Sequence, residues 1–134
     1  MKLVVHELKD RLVQPVSPKD IQNIEAIRLH LYRHRWPSGS LRLALENENG
    51  RFATSEDVAI SSIGQENFFH GQVRFFINAQ VRSPFQIVLE PVDYAFSESA
   101  YVGWCSDFDF KTYHSFPRPL QSPLDYEMWT RVQR

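Results

Sequence analysis

Apolar residues recur at every second position through four separate stretches of this chain, and that period restricts its fold more than any other feature. In IEAIRLHLYRH, Ile27, Leu29 and Leu31 alternate with Arg28, His30 and Tyr32. In LRLALE, Leu41, Leu43 and Leu45 alternate with Arg42, Ala44 and Glu46. VRFFI sets Val73, Phe75 and Ile77 on one side, and FQIVLE does the same with Phe85, Ile87 and Leu89. Successive side chains of a β-strand point to opposite faces, so each stretch writes a strand with one apolar face. Residues 17–35 also admit an amphipathic helix, with Ser17 as its cap and Ile21, Ile24 and Leu31 along one stripe. Three consecutive i, i+2 apolar steps decide for strand from Glu25 onward.

Turn chemistry separates these runs. RWPSGS and NENG carry the Pro, Gly and Asn-Gly combinations that reverse a chain, and NAQVRSP breaks the third run from the fourth. RFATSEDVAISSIG offers short strands around Phe52 and residues 58–60, and SAYVGWCSDFDF reads as the last major strand. Roughly seven or eight short strands with turns between them predict an all-β chain, a single antiparallel β-sandwich. At 134 residues the chain has the length of one domain, with a core over about 20–116. Residues 1–19 form an N-terminal arm able to pair with an edge strand, and 117–134 form a Pro-rich C-terminal arm.

The order of these segments carries a resemblance. IEAIRLHLYR, SGSLRLALENENGRFATSEDVAIS, FHGQVRFFINAQV, FQIVLEP and YAFSESAYVGW together resemble jelly-roll β-sandwich modules of the galactose-binding-like type, over about residues 24–104. Such modules occur as non-catalytic carbohydrate-binding units and as structural parts of phage and virus particles. The resemblance therefore implies a jelly-roll-like topology and a module of a larger assembly: a tail, fibre or capsid decoration of a virion, built in the host cytoplasm. A carbohydrate-binding module or receptor-binding tip is the alternative function, and a cytoplasmic protein the alternative location. The partners it implies are other copies of the chain, other subunits or a glycan.

Charge and composition exclude several classes. The formal net charge of −1 lacks the basic excess of a general nucleic-acid binder, although residues 1–51 carry +3, 52–110 carry −6 and 111–134 carry +2. One cysteine, Cys105, permits no internal disulfide framework, and its place in a strand beside Trp104 suits a small buried hydrophobe. No run approaches membrane-spanning length, and the apolar start MKLVV is too short for a signal peptide.

The chemistry-bearing residues argue against catalysis. His30 and His34 would chelate zinc on a helix, but on a strand they lie about 13 Å apart. His70, before Gly71, reads as a turn-anchoring hydrogen bonder. Asp107 and Asp109 share a strand face about 6–7 Å apart, a glycosidase-like separation that is also commonplace on solvated strands. Their oxygens, or those of Asn47 and Asn49, could hold a structural calcium, the one cofactor the sequence leaves open. Serine-nucleophile and phosphate-loop motifs do not occur. No catalytic site is therefore expected. The candidate sugar-binding or interface residues are aromatic: Trp36, Tyr94, Phe96, Tyr113, Tyr126 and Trp129. Tyr94, Phe96 and Tyr101 can equally close one end of the sandwich. The prolines at 117, 119 and 123 are expected to keep the tail out of the sheet, leaving Tyr126 or Trp129 to fill a pocket.

Overall fold

The computed structural model describes residues 3–18, 21–63, 72–82, 84–107 and 126–130. They form two five-stranded antiparallel sheets packed as a β-sandwich, compatible with a jelly-roll-like fold. The first sheet contains β1 (Leu3–Glu7), β3 (Gln22–His34), β7 (Gln72–Val81), β9 (Tyr101–Asp107) and β10 (Tyr126–Thr130). The second contains β2 (Leu12–Val16), β4 (Ser40–Asn47), β5 (Gly50–Thr54), β6 (Val58–Ala59) and β8 (Phe85–Val92). One 3-10 turn, Ile60–Ser62, follows β6.

The alternating faces meet in the middle. Ile27, Leu29 and Leu31 of β3 and Val73, Phe75 and Ile77 of β7 face Leu41, Leu43 and Leu45 of β4 and Phe85, Ile87 and Leu89 of β8. Each of these side chains stabilises the fold by roughly 1.5–3 kcal/mol through burial, before chain entropy is set against it. The N-terminal arm is shared between the layers. Its strand β1 pairs with β9 and β2 pairs with β8, while Leu8 between them is fully buried.

Strand β3 organises the first sheet. Residues 24–29 pair with both β7 and β10, which must therefore lie on opposite edges, and β9 takes over at Leu31 through His34. Between Ile24 and Ile27 the registers fan out: three steps along β3 face two along β10 and four along β7. The extra residue in β7 is accommodated at Asn78, whose φ of 48° is left-handed, a region that Asn tolerates better than most residues. The break expected at NAQVRSP is thus a bulge, and β7 runs through it to Val81. Residues 126–130 also differ from expectation. They join the sheet as β10, because five residues beyond the last proline are free to donate and accept backbone hydrogen bonds against β3.

Candidate functional site: the loop end of the sandwich

Three connections converge at one end of the sandwich: residues 8–11, 35–39 and 93–100. Tyr94 ties the first of these connections to strand β9 there. Its hydroxyl donates to the Leu8 carbonyl at 2.7 Å and accepts from the Val102 N–H at 3.0 Å. Burial pushes this hydroxyl above its ordinary pKa, partly offset by the bond from Val102. The turn at 35–39 presses on the third connection at Gly39, which has a φ of 106°. A Cβ at Gly39 would lie 2.6 Å from the Asp93 carbonyl oxygen, so no larger residue fits. The Gly39 carbonyl in turn accepts from the Ile60 N–H at 3.0 Å.

Arg33 sits beneath this turn. It continues the inward parity of Ile27, Leu29 and Leu31, and is only 6% exposed. Its Nε donates to the Ile63 carbonyl at 3.0 Å and its Nη1 to the Arg35 carbonyl at 2.6 Å. The guanidinium, fixed by two carbonyls, lies 3.9 Å from the centre of the Trp36 ring. Trp36 is nevertheless 70% exposed. One indole face is therefore backed by an anchored cation, while most of the side chain meets solvent. Arg35 and Asp93 flank this arrangement with φ of 59° and 55°. Left-handed backbone at such residues is retained only where surrounding bonds over-determine it, which is common at binding surfaces.

A second aromatic group lines the same end. Lys9 Nζ stands 5.4 Å from the Phe96 ring centre, Phe96 leans on Tyr101 at 5.7 Å, and Tyr101 stacks on His34 at 4.7 Å. The ring faces here are largely spent on each other. Nearby, Tyr32 lies across Gly103, its register partner on β9.

Of the six aromatic candidates, then, the fold brings Trp36, Tyr94 and Phe96 to one end. Tyr94 closes the end structurally, and Trp36 is the exposed member. Tyr126 and Trp129 are placed elsewhere, their backbones opposite Leu29 and Ala26 on β10, and Tyr113 lies outside the described residues. The expectation that the tail stays out of the sheet is corrected by that pairing. Arg33 was missed as a site residue, although the alternation that assigns Leu29 and Leu31 inward assigns it inward too.

The candidate ligating groups are dispersed. His30 and His34 lie on one extended strand, with His34 stacked on Tyr101. Asn47 Oδ1 accepts from the Asn49 N–H at 2.9 Å within the β4–β5 hairpin. The backbone of Asp107 ends β9 opposite Leu3, and that of Cys105 lies opposite Val5; Asp109 and His70 fall outside the described residues. Among the described residues no group of three or more His, Cys, Asp or Glu side chains could hold a metal ion. On the outer face of the second sheet the carboxylates are paired. Arg51 bridges Glu46 at 2.8 Å and Glu90 at 2.9 Å, and Arg42 meets Asp57 at 2.7 Å. Hydrogen bonds from Arg51 and Arg42 hold Glu90 and Asp57, respectively, below the usual carboxylate range.

No family model, curated protein or solved structure matches this chain. Among the described residues no helix is long and apolar enough to cross a membrane.

Proposed function

We propose that this chain is a non-catalytic module of a larger assembly, and that it meets its partner through the loop end centred on Trp36. The observation that carries this reading is the exposed indole held over the carbonyl-anchored Arg33 guanidinium. A rigid, solvent-facing Trp loses little entropy when a partner covers it, and such residues are the usual anchors of binding energy. A phage or virus particle, with the chain as a tail, fibre or capsid-decoration component, is the concrete setting. It rests on the resemblance to galactose-binding-like jelly-roll modules.

The second reading is a carbohydrate-binding module or receptor-binding tip, favoured by the flat exposed face of Trp36, on which a sugar ring could stack. A photo-crosslinker at the exposed Ser38 and a glycan array with wild type and Trp36→Ala separate the two. Assembly through this end predicts crosslinking to one protein subunit of the native particle and an empty array. Array binding abolished by Trp36→Ala would replace the assembly reading with the sugar reading. Neither signal would remove the loop end as a binding surface.

A further inference from the structure

Arg42 and Arg51 meet carboxylates on the outer face of the second sheet, but among the described residues none pairs with Arg33. A guanidinium carries five N–H donors. Nε and Nη1 of Arg33 each spend one on a carbonyl, at 3.0 Å and 2.6 Å. Nη2 donates no hydrogen bond to a described residue and is not sealed from solvent. Carbonyls satisfy donors without neutralising a charge, and this one belongs to a residue only 6% exposed. The rest of the turn adds to the positive charge. Arg35 is exposed on it, and Trp36, Pro37, Ser38 and Gly39 bring no acid. Asp93 abuts Gly39 through its backbone carbonyl and forms no ion pair with either arginine.

We propose that the group this end receives from its partner subunit is a carboxylate, the Asp or Glu side chain of an acidic polypeptide segment, bonded to the open Nη2 edge of Arg33 beside the Trp36 ring. The proposal rests on the assembly reading and adds the chemistry of the partner to it. A buried charge without a counter-ion is costly, and a carboxylate that accepts charge-assisted N–H bonds removes that cost on binding. Trp36 supplies the apolar half of the contact, since the side chain that lies against Arg33 is also 70% exposed. A carboxylate on a short apolar stem matches that pair, one guanidinium edge and one indole. A sugar acid would meet the same cation, but it brings several hydroxyls. For these, residues 35–39 offer as neutral side-chain partners only the Ser38 hydroxyl and the indole N–H. Charge complementarity therefore favours an acidic segment of protein.

The test is titration of the wild-type chain, followed at the Arg33 Nε–H and Trp36 Nε1–H resonances in proton–nitrogen correlation spectra. The probes are the blocked peptide acetyl-Ser-Leu-Glu-Leu-Ser-amide, its Gln counterpart and glucuronate. The Glu peptide should shift both resonances saturably, and the Gln peptide should bind roughly tenfold or more weakly. Raised salt should weaken the first far more than the second. Arg42 and Arg51, already paired, are internal controls whose Nε–H resonances should stay in place. Arg33→Met, checked for its β-sheet circular dichroism, should bind the two peptides alike; the wild-type series decides the matter even if this variant does not fold. A Glu peptide that gives no saturable shift, or binds no more tightly than the Gln peptide, overturns the inference. So does glucuronate binding more tightly than the Glu peptide, which would make the ligand an acidic sugar. Crosslinking from Ser38 asks the separate question of whether this end meets a protein. A crosslink without preference for the Glu peptide removes this inference alone, and that preference without a crosslink removes the assembly reading alone.

Discussion

A single hydroxyl joins the N-terminal connection to the last long strand. Tyr94 serves the Leu8 carbonyl and the Val102 N–H together, and both backbone groups belong to fully buried residues. Tyr94→Phe removes both bonds and leaves their partners unsatisfied, at an expected loss of about 1–3 kcal/mol in urea unfolding. The pH dependence has a definite sign. Because the folded-state pKa is raised, the unfolded chain loses this proton first, near its ordinary value of about 10. Stability from Tyr94 is therefore complete below that pH and declines as pH rises towards the folded-state value. Tyr94→Phe should show a correspondingly shallower alkaline decline. Gly103 makes a steric counterpart: a Cβ there would overlap the Tyr32 ring. Gly103→Ala should destabilise by about 1–3 kcal/mol, and Tyr32→Ala in the same chain should return part of that loss. Additive losses in the double variant would show that the ring and the glycine are not coupled.

At the scale of elements, β1 is fastened to β9 by antiparallel pairing and by His6 stacked on Trp104 at 4.2 Å. Desolvation lowers the His6 pKa, so the unfolded chain takes up this proton first as pH falls. The contribution of His6 is thus present above about 6.5, its unfolded value, and is lost as pH falls through the lower folded-state value. Thermal melts between neutral pH and pH 5 should show a decline that His6→Phe reduces, and an unchanged decline would contradict the burial of this ring. The strands themselves were legible wherever one face is wholly apolar: β3, β4, β7 and β8 keep the inward residues that their alternation assigns. Legibility failed where the backbone departs from period two, as at Asn78, whose left-handed turn looks like a loop in one dimension. It failed again at β10, where the preceding prolines restrict only their own positions and not the five residues that pair with β3. At the loop end, Trp36, Tyr94 and Phe96 were readable as aromatic residues in turns. Their division into structural and exposed roles depends on long-range contacts with residues 8, 33 and 102, which no local pattern contains.

Over the whole molecule, the two apolar faces close on each other and leave three surfaces with different character. The outer face of the second sheet neutralises its own charges through Arg42 and Arg51. The flank beside β7 carries a groove lined by both polar and apolar residues, and the loop end presents Trp36 over the carbonyl-anchored Arg33. Trp104 provides an internal reference, since it is 7% exposed within the same fold. The direct test of the central claim is hydroxyl-radical footprinting of the free chain and of the native assembly, read by mass spectrometry at each tryptophan. Trp36 should be oxidised readily in the free chain and strongly protected in the assembly, with Trp104 protected in both. Equal oxidation of Trp36 in the two states would contradict binding through the loop end.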